Sequence, residues 1–169
     1  MKYLAPKNFG FSLMLVLLVT GCSASTSPTG VTTTDGSMVA MVDGYSWSST
    51  VIPPGISGGA SAKRSDAGAL TLTGVSTNHG SIILVLLHPK IGMDTLGLGN
   101  SGSYIDDGKQ VYITAGVNKG LVSLTTYDSI HHLVSGTFNF QASRTDSVST
   151  PATVTVTNGS FYNLEWGKN

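Results

Sequence analysis

From Val39 to Trp166 the apolar residues never hold the three- and four-residue spacing of a helix. They come in runs of four to eight, either alternating with polar residues or made of β-branched and aromatic side chains, and the runs are cut by clusters of Gly, Asn and Asp. This pattern predicts strands. Val39 to Val42 is the first, Asp43-Gly44 a tight turn of residues that tolerate positive φ, and Tyr45 to Ser48 the return strand with Trp47 as its core aromatic. Thr50 to Gly68, with Pro53-Pro54 and Gly58-Gly59, reads as a loop. Leu70 to Thr73 alternates, with one face inward. After the turn Asn78-His79-Gly80, Ser81 to Leu87 is apolar on both faces and predicts a strand covered on both sides. Lys90 to Ser103 reads as a glycine-rich loop, and Tyr104-Ile105, the turn Asp106-Asp107-Gly108 and Val111 to Thr114 as a hairpin.

Leu121 to Tyr127 is a further strand. Val134, Phe138, Phe140 and Ala142 then fall on one face, opposite Ser135, Thr137, Asn139 and Gln141. Val154 and Val156 repeat the alternation, Asn158-Gly159 reads as a last turn, and Phe161 to Trp166 as the terminal strand. Eight or nine short strands at this spacing predict one all-β domain over residues 38–169, an antiparallel β-sandwich or flattened barrel.

The N-terminus follows a different plan. Lys2 and Lys7 precede the apolar run Phe11 to Val19 and the small residues Thr20 and Gly21, the three-part layout of a signal peptide; the run is about half what a helix needs to cross a bilayer. Val19-Thr20-Gly21-Cys22 resembles the lipobox of bacterial lipoproteins. That resemblance implies removal of residues 1–21, cleavage between Gly21 and Cys22, and lipid attachment at Cys22. By resemblance to known lipoprotein sorting rules, Ser23 in place of aspartate favours the outer membrane, and the lack of an acidic cluster in Ser23-Ala24-Ser25-Thr26-Ser27-Pro28 favours a periplasm-facing protein. Residues 22–37 are then the lipidated cysteine and a flexible Ser/Thr-rich tether.

Charge and cysteine content narrow the function classes. Only 11% of the 169 residues are charged and 40% are hydrophobic, which suits a folded core and not a disordered chain. Lys2 and Lys7 lie in the removed segment and all nine acidic residues beyond it, so the mature chain carries −2, and Lys63-Arg64 is its largest basic cluster. Nucleic acid is not an expected partner. With Cys22 the single cysteine, no internal disulfide can form.

Gly120 to Leu124 with Asp128, the run Val134-Ser135-Gly136-Thr137-Phe138-Asn139-Phe140-Gln141-Ala142, and Val154-Thr155-Val156-Thr157-Asn158-Gly159-Ser160-Phe161 resemble a family of exported bacterial lipoproteins defined by a domain of unknown function. Val42-Asp43-Gly44-Tyr45-Ser46-Trp47 fits that family's opening strand and turn, so the likeness runs from about Val39 to Leu164. It implies the fold and carries no catalytic residues.

Candidate chemistry is sparse. Gly55-Ile56-Ser57-Gly58-Gly59 has the spacing of a nucleophile elbow, but Pro53-Pro54 breaks the strand leading in and no helix follows, so Ser57 reads as a loop residue. Asp128, His131 and His132 share one loop and could offer a carboxylate and imidazoles to a metal; solvated turn residues is the preferred reading, and His79 and His88 do not converge with them. Asp106-Asp107-Gly108 reads as a turn and not a calcium loop, and Asn158-Gly159-Ser160 as a turn and not a glycan acceptor. Asp94-Thr95-Leu96, Asp128-Ser129-Ile130 and Asp146-Ser147-Val148 resemble a bacterial O-glycosylation triplet, with Thr95, Ser129 and Ser147 as acceptors. No cofactor is expected. The function expected is a non-enzymatic binding or interaction module for a glycan, a small ligand or another envelope protein. The alternatives are a hydrolase built on strand-end loops, such as Asp128 with His131, and a barrel carrying a small apolar ligand.

Overall fold

The computed structural model describes residues 36–49, 59–117, 119–146 and 152–168. Among these there is no helix. The strands are β1 (Ser37–Val42), β2 (Tyr45–Ser48), β3 (Gly59–Arg64), β4 (Leu70–Val75), β5 (Ser81–Leu86), β6 (Gly92–Leu96), β7 (Ser101–Ile105), β8 (Val111–Ile113), β9 (Gly120–Asp128), β10 (Leu133–Arg144) and β11 (Thr153–Lys168). All eleven join one hydrogen-bonded sheet, two or three strands more than the sequence pattern predicts.

Two long strands fold that sheet into layers. On one edge β10 pairs with β9 from Leu133 to Phe140 and then, past the end of β9, with β8 at Ser143 and Arg144. On its outer edge β11 pairs with β1 between Val156 and Tyr162, and further on with β3 from Trp166 to Lys168. The layer β2-β1-β11-β10-β9-β6 therefore passes at two corners into the layer β3-β4-β5-β7-β8, and the pairings close a ring through β11, β3, β4, β5, β7, β8 and β10. This is a flattened barrel, antiparallel throughout except where β11 runs parallel to β3.

The core lies between the layers. Met38, Trp47, Val122, Leu124, Val134, Phe138, Phe140, Val156, Phe161 and Leu164 face Leu70, Leu72, Ile82, Leu84, Tyr104 and Tyr112. The layers touch closely at two glycines. A Cβ on Gly74 would lie 2.7 Å from the Trp47 ring, and one on Gly102 would lie 2.8 Å from the Phe140 ring. At those positions the interior is filled by side chains and has no space for an apolar guest.

Several expected features hold. Asp43 and Gly44 have φ of 49° and 84° and join β1 to β2 as a two-residue hairpin turn, the β7–β8 hairpin forms at Asp106 to Gln110, and Val134, Phe138, Phe140 and Ala142 are buried together. Others need correction. Within the expected loop from Thr50 to Gly68, residues Gly59 to Arg64 form β3, held by full pairing with β4 although Gly, Ala and Ser carry no strand signal of their own. Within the expected loop from Lys90 to Ser103, β6 is an edge strand on β9. Ser81 to Leu86 is not covered on both sides: Ile82, Leu84 and Leu86 are buried, whereas Ile83 and Val85 are only half-buried on the outer face.

The largest correction is at Asn158-Gly159, which is no turn. β11 runs through it for 16 residues, and Asn158, at φ 51°, is the extra residue of a β-bulge. The register shows the insertion, because Phe138 pairs with Gly159 and Phe140 with Val156, three residues of β11 against two of β10. Positive φ at Asn serves a bulge as well as a turn, so the dipeptide alone did not distinguish them. Asn163, at φ 45°, marks a second shift of the same kind.

Gly159 itself is not in the left-handed region, but a Cβ there would lie 2.5 Å from the buried Phe138 ring. Gly159→Ala should therefore destabilise the domain by about 1–3 kcal/mol through overpacking, read as a lower urea midpoint. A midpoint unchanged from the parent would mean that the chain turns away from the core here.

Candidate functional site

The expected candidates on the β9–β10 hairpin come close in sequence but go to different partners. Asp128 pairs with Leu133, so Ser129 to His132 form a four-residue loop closed by His132 at φ 59°. One oxygen of Asp128 accepts the backbone N–H of Ile130 at 2.7 Å and of His131 at 2.9 Å, and its other oxygen lies 2.7 Å from His131 Nδ1. These contacts lower the Asp128 pKa from 3.8 to about 2, with the His131 side-chain hydrogen bond the largest cause. The imidazole of His132 instead stacks on Trp166, with ring centroids 4.6 Å apart.

Trp166 is 1% exposed and is also stacked by Tyr127 at 5.6 Å and capped by the Arg64 guanidinium at 5.4 Å. The buried Trp166 Nε1, Tyr127 hydroxyl and Arg64 Nε have no hydrogen-bond partner. The two histidines are thus split between a carboxylate and an aromatic stack. Among the described residues no three His, Cys, Asp or Glu side chains gather as a metal shell.

The remaining predicted positions are scattered. His79 and His88 are exposed at opposite ends of β5, Thr95 is exposed on the edge strand β6, and Ser129 is exposed in the hairpin loop. Gly21, Cys22, Ser57 and Ser147 lie outside the described residues, as do the signal segment and all but the end of the tether.

What the structure does assemble is a cleft at one end of the barrel, where three turns meet. Its walls are Val42, Asp43, Tyr45, Ser46, Trp47, His79, Tyr104, Asp106, Tyr112 and Val154, around an open volume of about 470 Å³. Each turn is tied to a neighbour. Asp107 accepts the backbone N–H of Gly80 at 2.6 Å, which joins the β7–β8 turn to the β4–β5 turn. Trp47 Nε1 and the Tyr104 hydroxyl both donate to the His79 carbonyl, at 2.8 and 3.0 Å. Asp43 is fixed to β11, its N–H donating to the Thr155 carbonyl at 2.9 Å and its Oδ1 accepting the Thr155 N–H at 2.8 Å. Only Gly fits at position 80, where φ is 69° and a Cβ would collide with the Ile105 carbonyl.

Aromatic surface and negative charge coincide here. Tyr104 and Tyr112 lie 6.1 Å apart and Trp47 packs behind them, while Tyr45 projects into solvent, 78% exposed. Burial, followed by the charges of Asp107, Asp106 and Asp43, pushes the Tyr104 pKa up, so its hydroxyl remains a donor. Neither Lys nor Arg lines the cleft. The sequence reading identified each turn and Trp47 but missed the cleft, because nothing local in the sequence says which turns become neighbours.

A second, shallower groove of about 470 Å³ crosses the outer face of β6, β9, β10 and β11, along Thr95, Leu121, Asn139, Gln141, Thr155 and Thr157, with Lys119 at its edge. Phe140 and Val156, both buried, also contribute to its lining.

Fold and cleft together define an all-β domain with an open cleft at its strand-end turns. Residues 35–165 match DUF6252, a domain of unknown function, and the chain belongs to that family. No curated protein and no solved structure matches it.

The Asp128 contacts give a pH dependence of definite sign. Because its folded-state pKa is depressed, Asp128 adds its full share of stability above 3.8, and loses it as pH falls through about 2. A carboxyl-carbon NMR titration should put its midpoint near 2. A midpoint at 3.8 would mean that the hairpin-loop contacts do not persist in solution.

Proposed function

We propose that this chain is an envelope lipoprotein, held to the bacterial outer membrane by fatty acyl groups on Cys22 and facing the periplasm, whose β-domain is a non-enzymatic binding module. The lipobox-like Val19-Thr20-Gly21-Cys22 after an apolar run supports the anchor. Two or three acyl chains suffice for stable anchoring, where one would hold only marginally.

The observation that carries the binding reading is the cleft. An exposed Tyr45 stands over an aromatic wall whose turns are fastened to each other by hydrogen bonds, a rigid and partly apolar recess with a few placed polar groups. Asp43 and Asp106 each commit one oxygen to a backbone N–H, of Thr155 and of Gln110, which suits groups that shape a site.

A hydrolase is the second reading, favoured by one contact: Asp128 orients His131 at 2.7 Å as a carboxylate orients a general base. His131 is 71% exposed, and it lines neither the cleft nor the groove described above. A hydrolytic turnover that disappears in His131→Ala would replace the binding reading with this one.

Two outcomes are expected for the full-length protein in its membrane. Cys22→Ser should abolish acylation and move the chain from the detergent phase to the aqueous phase. Equal partitioning of parent and variant would remove the anchor. Capture from envelope extracts on the lipidated protein should enrich a glycan, small ligand or protein that Tyr45→Ala no longer retains, and identical captures by the two would remove the cleft as the binding site.

A further inference from the structure

We infer that the turn-end cleft recognises an organic ammonium group, an alkylated or primary amine cation seated between Tyr45 and the carboxylates of Asp43 and Asp106. This rests on the binding-module reading and names its ligand chemistry. The first argument is charge complementarity. Asp43 and Asp106 line the cleft and Asp107 lies beside it, whereas no Lys or Arg lines it; Lys109 is exposed in the same turn as Asp106 but is not part of the wall. His79 contributes its backbone carbonyl, which is already accepting from Trp47 and Tyr104.

The second argument is the imbalance of hydrogen-bonding groups. Asp43 and Asp106 each use Oδ1 on a backbone N–H, and their Oδ2 atoms have no partner among the described residues. The Tyr104 hydroxyl is spent as a donor on His79. The two carboxylates can only accept, while the hydroxyls of Tyr45, Ser46 and Tyr112 can give or take, so the balance of the cleft leans towards acceptors that carry negative charge. A sugar hydroxyl both gives and takes hydrogen bonds, whereas an ammonium group only gives them or, when fully alkylated, presents pure positive charge.

The third argument is the aromatic wall. A cation over a tyrosine face is attracted by the ring's negative π surface, and more strongly where neighbouring carboxylates deepen the local field. The molecule uses this pairing at the other end of β11, where Arg64 sits 5.4 Å from the centre of the Trp166 ring. At the cleft the rings and carboxylates are present and neither Lys nor Arg lines the wall.

Calorimetric titration of the full-length chain in detergent tests this, with choline, putrescine and 3,3-dimethyl-1-butanol, the uncharged carbon isostere of choline, as probes. At least one cation should bind about tenfold or more tightly than the isostere, and should weaken as salt is raised. Tyr45→Ala and Asp106→Asn should each weaken that binding several-fold, and the exposed Tyr45 position makes its variant safe for folding. A thermal melt run beside each titration confirms that the variant is folded. Vesicles of phosphatidylcholine separate the two sources of such a group: retention of the Cys22→Ser chain on them, lost in Tyr45→Ala, marks a lipid headgroup, and binding of free choline alone marks a soluble ligand.

Equal affinity for the isostere, no binding of either cation, or cation binding indifferent to both folded variants would each overturn the ammonium assignment. Those results leave the binding-module reading standing if Tyr45→Ala still loses its captured envelope component. They take it down only if that capture is also unchanged.

Discussion

Strands β10 and β11, at 12 and 16 residues, are longer than any neighbour that pairs along their outer edges. A backbone edge that continues past the end of its partner exposes N–H and C=O groups that must be satisfied by something else. Here β8 takes over from β9 on β10, and β3 takes over from β1 on β11. That double hand-over converts an open sheet with two edges into a closed ring. It also places the two layers face to face, so that the core between them depends on the β10–β11 pairing being continuous.

Continuity requires that two strands with different neighbours twist differently without parting. The bulges at Asn158 and Asn163 take up that difference, one extra residue each, and let β11 bend from β1 towards β3. Beside the first bulge, Gly159 lies flat against Phe138 and brings the bend close to the core. An interior residue such as Phe138 is thus fixed from both directions, by its own alternation on β10 and by the absence of a side chain on β11.

The alternation of apolar and polar residues made the strong strands legible in the sequence, above all β4, β9 and β10, because each buries one face and the period of two is unavoidable there. The strands that escape the pattern, β3 (Gly-Ala-Ser-Ala-Lys-Arg) and β6 (Gly-Met-Asp-Thr-Leu), lack a run of alternating or β-branched apolar residues, and their strand character comes from the neighbour they pair with. Asn158-Gly159 reads as a turn in the sequence because turn and bulge use the same backbone conformation, and only the partner strand decides between them. The same limit explains the candidate site. Asp43-Gly44, Asn78-His79-Gly80 and Asp106-Asp107-Gly108 were each visible as turns, but their meeting depends on β5 pairing with β7 past β6, a matter of strand order. The paired histidines suggest a metal by residue type alone, and the structure gives His131 to a carboxylate and His132 to a tryptophan.

A chain with one cysteine has no internal disulfide to fix these turns. The carboxylates do that work: one oxygen of Asp43, Asp106 and Asp107 each accepts a backbone N–H, and through Asp107 one turn is bound to the next. Each such bond leaves the charge of the carboxylate in place while consuming only part of its hydrogen-bonding capacity. Like charges collected at one end repel each other, a cost the free protein bears in proportion to how closely they are held. A partner of opposite sign relieves that cost on binding, and finds the turns already ordered, so little conformational entropy is lost in receiving it. The contacts that hold the end of the barrel together are thus the same ones that would favour the ammonium guest we propose.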